Sequence, residues 1–131
     1  MTLPPQKEKL FPLEGRTARF GEAVINFCKV LAPTHVNRPL ISHLIRSATS
    51  IGANYAEANA ASSKKDFSNR ILLCKRESQE TKHWLRMIAT AQPEQKEKLR
   101  ELWQECQELT FIFGKITSTL RRSDSTRNST T

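Results

Sequence analysis

An all-α protein, folded as an up-down-up-down antiparallel four-helix bundle, is what this sequence predicts, and three observations predict it. Apolar residues return at steps of three and four through four successive stretches, the period of a helix with one buried side. Short breaks rich in proline, serine and alanine separate those stretches. No segment alternates polar and apolar residues for long enough to form a sheet strand. Four amphipathic helices with short later connections bury their stripes together, and 131 residues suffice for one such core but not for two ordinary domains.

Residues 1–15 hold Pro4, Pro5, Pro12 and Gly15 between short apolar pieces, a composition that delays helix formation and predicts an extended arm. The bundle domain is predicted over 16–121. After Arg16, the side chains of Phe20, Val24, Phe27 and Leu31 fall on one side of a first helix that stops before Pro33. Thr34 to Asn37 offer capping groups, and Pro39 suits a first turn because its missing amide would be unbonded there in any case. The second helix presents Ile41, Leu44, Ala48, Ile51 and Tyr55 before the break at 60–63. Gly52 lies inside it at a propensity cost of about 1 kcal/mol, so it marks a place where a neighbouring helix can come close.

Ser63 and Asp66 have capping-box spacing with the shorter acid, which starts a third helix at Lys64. Its stripe is Phe67, Ile71, Cys74, Ser78, Thr81, Leu85 and Ile88. Ala91, Gln92 and Pro93 make a tight connection, and the fourth stripe follows as Leu99, Leu102, Cys106, Leu109, Phe113, Ile116 and Leu120, ending near Arg121. Residues 122–131 carry no apolar side chain and are predicted to be a flexible tail.

A mean hydropathy of −0.54 and a 37% hydrophobic share exclude a membrane-spanning chain. Twenty-one basic residues against thirteen acidic ones give +8, which favours polyanionic partners. The surplus is local. Residues 63–91 hold seven Lys or Arg against three acids, whereas 92–120 hold four against five. Lys64, Lys75, Lys82 and Arg86 share a narrow sector of the third helix, a row along which RNA or DNA phosphates can bind without reading a base sequence. The competing reading is that these cations only solvate the bundle. Leu72 and Phe111 lie off their stripes, either as ordinary exposed apolar residues or as contacts between copies in a homo-oligomer.

Cys28, Cys74 and Cys106 are odd in number, at no ligand spacing, within helical patterns, and no signal-peptide segment opens the chain; buried thiols in a cytoplasmic protein are expected. His35, His43 and His83 are scattered, and paired Glu-x-x-His motifs are absent, so neither a zinc nor a diiron site is expected. With no Gly-rich phosphate loop and no activated nucleophile, the reading is non-enzymatic and without cofactor. Asn54, Glu57, Glu77 and Glu80 lie beside the packing faces of helices two and three. There they are expected to form a polar network that fixes register, since unpaired buried polar groups are costly.

Three stretches carry a family resemblance: RSATSIGANYAE from Arg46 to Glu57, ESQETKHWL from Glu77 to Leu85, and ECQELTFIFGKITSTL from Glu105 to Leu120. Over residues 16–121 the chain resembles the four-helix bundle proteins encoded within intervening sequences of bacterial 23S ribosomal RNA genes, formerly called S23 proteins. The accessory variability proteins of diversity-generating retroelements are related to them. Ser50, Ile51, Asn54, Ala56 and Glu57 keep the family pattern, with Tyr55 in place of the usual isoleucine. Glu77, Glu80, Thr81, Trp84 and Leu85 fit on the third helix, while His83 stands where tyrosine is common and Ala58 where glycine is. The resemblance implies a homopentamer with a central pore and, in the retroelement branch, a basic scaffold contacting a reverse transcriptase and nucleic acid. Two functions stay open: a non-enzymatic oligomeric scaffold or accessory protein that binds RNA or DNA, and a protein-interaction module with no physiological nucleic-acid binding.

Overall fold

The computed structural model describes the backbone of residues 12–129 and the side chains of 12–123. Four helices account for most of it: α1 (Pro12–Cys28), α2 (Asn37–Asn59), α3 (Lys64–Ala91) and α4 (Lys96–Ser129), with a 3₁₀ turn at Pro93–Gln95 before the last. Among the described residues there is no strand. At 1.5 Å per residue α3 is about 42 Å long, so the bundle is a rod.

Cross-helix pairs establish the antiparallel order. Gly21 packs on Thr49 and Gly52 on Thr17 between α1 and α2. Arg46 reaches Glu80 and Arg70 reaches Glu57 between α2 and α3, while Lys64 meets Ser123 and Lys82 meets Gln107 between α3 and α4. Arg16 closes the circuit onto Glu105 of α4. The two glycines act as the second helix's Gly52 was expected to: a methyl there would lie 3.4 Å from Thr17 Oγ1 and 3.6 Å from the Ala18 amide nitrogen. Anything larger would push α1 away.

The ends of α2 and α3 follow the capping chemistry. Thr34 Oγ1 accepts from the Asn37 amide at 3.0 Å, and the Asn37 side chain donates to the Ala32 carbonyl at 2.9 Å. Ser63 Oγ accepts from the Asp66 amide at 3.1 Å, which satisfies one of the amides a helix start leaves open.

The outer boundaries differ from expectation. Helix α1 begins at Pro12, not Arg16, because a proline at a helix start forfeits no hydrogen bond. The part of the predicted arm before Pro12 lies outside the described residues. The same helix ends at Cys28 instead of reaching Leu31. Tighter bonds from the Val30 and Leu31 amides to the Phe27 and Cys28 carbonyls still fold Leu31 into the core. Helix α4 runs through the predicted tail to Ser129, leaving only 130–131 outside the described residues. An established helix gains one bond per added residue without a new nucleation cost, so absence of apolar side chains does not end it.

The core follows the four stripes, with Val24, Leu44, Ile51, Ile71, Leu85, Leu109 and Phe113 all fully enclosed. Its middle holds paired hydroxyls. The hydroxyls of Ser47 and Thr81 meet at 2.9 Å, as do those of Ser78 and Thr110. Nearby, the Cys74 and Cys106 thiols donate to the Ile51 and Ser78 carbonyls at 3.6 and 3.1 Å.

Candidate functional site

Successive residues of α4 turn about 100° apart, and that rotation sorts its charges onto opposite sides. Glu101 and Glu105 face α1 with Arg16 and Arg19, and Arg16 binds Glu105 and Glu108 at 2.8 Å each. Lys96 and Arg100 face α3 instead, in a surface groove with Arg86. A helix whose segment charge is slightly negative therefore presents a basic edge to α3.

The predicted basic row lies along this α3–α4 seam and not on an open edge. Lys64 donates to Ser123 Oγ at 3.2 Å. The Lys75 chain passes Gly114 of α4. Lys82 is half-buried, bonds Gln107 Oε1, and holds its ammonium 5.3 Å from the centre of the Trp103 ring. Arg86, at the end of the row, is exposed and enters the groove.

That groove has a volume of about 470 Å³. Leu85 and Leu99, both buried, form its base together with Ala89. Trp103, 39% exposed, forms a wall. The side chains of Arg86, Lys96 and Arg100 have no carboxylate or other hydrogen-bond partner among the described residues. Sequence reasoning named only Arg86 of this group. The available signal was the four-residue step from Lys96 to Arg100 with Trp103 one turn on, which places all three on one side of α4.

Between α2 and α3 the four residues expected to form a polar network lie in two separate centres, each around an arginine. Arg46 binds Glu80 at 2.7 Å and approaches Glu77 at 3.5 Å, and the Trp84 indole donates to Glu80 at 3.3 Å. Arg70 binds Glu57 at 2.6 Å and Asn54 Oδ1 at 3.3 Å, while the Asn54 amide group donates to the Ser50 carbonyl. Partial burial pushes the Glu80 carboxyl up, yet the Arg46 and Trp84 hydrogen bonds with the Arg46 and His43 charges outweigh it and hold the group below its ordinary range. The second Glu77 oxygen is buried without a hydrogen-bond partner among the described residues. Beside this centre His43 stacks on Trp84 at 4.3 Å and His83 meets the same ring edge-on at 4.9 Å, an aromatic cluster the sequence patterns did not reveal.

Leu72 and Phe111 are both exposed, at 39% and 67%, in different depressions. Leu72 lies between α3 and α4 beside Leu120, and Phe111 lies beside Ile112 and Arg16 toward α1.

Burial pushes the thiols of Cys28, Cys74 and Cys106 up to about 11, 12 and 12, so at neutral pH they are protonated and unreactive. Among the described residues no group of three or more His, Cys, Asp or Glu is arranged to hold a metal ion, and no helix is long and apolar enough to cross a membrane.

A family model described as 23S rRNA-intervening sequence protein matches residues 15–115. The chain is also similar to a crystal structure of a protein of unknown function from the S23 ribosomal protein family of Bacteroides thetaiotaomicron. The two share 27% identity and a TM-score of 0.70, over 79% of this chain and 96% of that one. Comparison with curated proteins finds no match.

Proposed function

The chain belongs to the 23S rRNA-intervening sequence protein family, and from that premise we propose that it is a non-enzymatic scaffold holding RNA or DNA by the phosphate backbone on its α3–α4 face. The observation that supports this reading is the convergence of Arg86, Lys96 and Arg100, each without a carboxylate partner among the described residues, in one groove. An arginine already bound to glutamate has to give up that bond to take a phosphate. A solvated one only releases counterions from the nucleic acid, which drives binding and makes it weaken as salt rises. Lys64, Lys75 and Lys82 extend the positive field along the seam.

Self-association multiplies such a face. Leu72 and Phe111 are the proposed contacts between copies, with the pentamer that the family resemblance implies as the proposed stoichiometry. Each added copy then raises the effective concentration of its neighbours' sites on a bound strand. Phe111, 67% exposed, also supports the second reading of a protein-interaction module.

The test is fluorescence anisotropy with labelled RNA and DNA across a salt series. The scaffold reading expects salt-sensitive binding that is lost in the Arg86→Gln/Lys96→Gln/Arg100→Gln chain. Failure to bind either nucleic acid at low salt, or undiminished binding by that variant, overturns it, and the first outcome leaves the protein-interaction reading standing.

A further inference from the structure

Phosphate recognition alone does not call for the apolar half of the α3–α4 groove. Leu85, Ala89 and Leu99 form its base and Trp103 one side, and apolar surface makes up most of the lining. A duplex offers a protein mainly its charged backbone, with the faces of its bases stacked inside. A single strand offers phosphates and uncovered base faces together, and proteins that bind single strands combine a basic track with aromatic side chains. The groove has that composition, and its volume of about 470 Å³ is in the range of pockets that take small planar ligands.

We infer that this groove accepts an unpaired nucleotide of a single-stranded nucleic acid, its base lying against Trp103 and the apolar floor and its flanking phosphates meeting Arg86, Lys96 and Arg100. The inference rests on the phosphate-binding reading of the same face and narrows it from nucleic acid in general to single strands. Lys82 supports the indole from the neighbouring turn of α3. Its ammonium stands 5.3 Å from the ring centre and is itself held by Gln107, a cation–π contact that restrains the ring. Trp103 is thus a wall of limited freedom, and a base meeting it loses little to ordering the protein side.

The experiment uses the full chain and two probes, an oligouridylate of about ten nucleotides and an RNA duplex of the same length. The single strand is expected to bind more tightly. Trp103→Leu is expected to weaken it by about tenfold, in keeping with the loss of one stacked base, while leaving duplex binding unchanged, and Trp103→Phe is expected to recover most of the loss. A Trp84→Phe chain leaves Trp103 as the sole indole, and its emission should be quenched on binding. If Trp103→Leu binds the oligouridylate as the unaltered chain does, or the emission does not change, the inference fails. The phosphate-binding reading survives that failure provided the Arg86→Gln/Lys96→Gln/Arg100→Gln variant still loses affinity. If the unaltered chain binds neither probe at low salt, both fail together. Should Trp103→Leu lose its helical circular dichroism, the quenching and the Trp103→Phe affinity decide the matter.

Discussion

The two sides of α3 treat positive charge in opposite ways. Toward α2, Arg46 and Arg70 are each bound to glutamate, at 2.7 and 2.6 Å. Toward α4, Arg86 stands with Lys96 and Arg100, and among the described residues no carboxylate answers any of them. Of the acids of α4, Glu101 and Glu105 face α1, where Glu105 and Glu108 hold Arg16. One seam therefore pairs its arginines with carboxylates, and the other, among the described residues, leaves its cations without one. Net charge alone does not separate these roles, whereas the identity of each cation's nearest anion does.

Both seams lean on one core, and the largest expected effect tests that shared support. Phe113→Ala should lower stability by about 3–5 kcal/mol in denaturant unfolding, because Phe113 is fully enclosed. Phe111→Ser, two residues away and exposed, should change monomer stability by no more than about 0.5 kcal/mol. By the proposed self-association it should instead shift sedimentation toward the monomer.

Next in size is the contrast between the seams themselves. Neutralising Arg86, Lys96 and Arg100 together should reduce RNA affinity and flatten the log–log salt dependence by about two for a single strand. Arg46→Gln should leave both the affinity and its slope unchanged. Equal losses from the two seams would break the comparison, since paired and unpaired cations would then contribute alike.

A smaller effect comes from the closed seam. Arg46→Gln should destabilise the fold by up to about 1 kcal/mol, since its pairs with Glu80 and Glu77 are partly exposed. The smallest is its dependence on pH. Glu80 and Glu105 are held below the ordinary 4.5 in the fold. For Glu105 the Arg16 hydrogen bond is the leading cause and outweighs burial. A depressed folded value stabilises the protein above the unfolded pKa and ceases to as pH falls through the folded one. The thermal midpoint should therefore decline on acidification below about 4.5, and the Arg46→Gln chain should show a shallower decline.

The parts of the fold that were legible in the sequence depend on neighbours within a turn or two. The four stripes, the Ser63 cap and the close approach at Gly52 are of this kind. The helix ends were less legible, because Pro12 and Gly15 were read as breakers although a first turn accommodates the proline, and because α4 needs no apolar residue to continue past Arg121. For the site, spacing put Asn54, Glu57, Glu77 and Glu80 beside the α2–α3 packing faces but did not show that they lie in two separate centres. Arg46 and Arg70 become their partners only through the antiparallel register of α2 and α3. Lys96, Arg100 and Trp103 were missed for a similar reason: the acids of the same segment cancel the two cations in any sum along the chain, and only rotation about the helix separates them.

The sealed sulfhydryls have a practical consequence. Cys74 and Cys106 donate to carbonyls inside the bundle and Cys28, the last residue of α1, is buried, so oxidants in air or buffer find no thiolate to attack while the chain remains folded. A covalently linked band on a non-reducing gel would then count molecules that have opened, giving a cumulative record of unfolding that an equilibrium measurement does not keep.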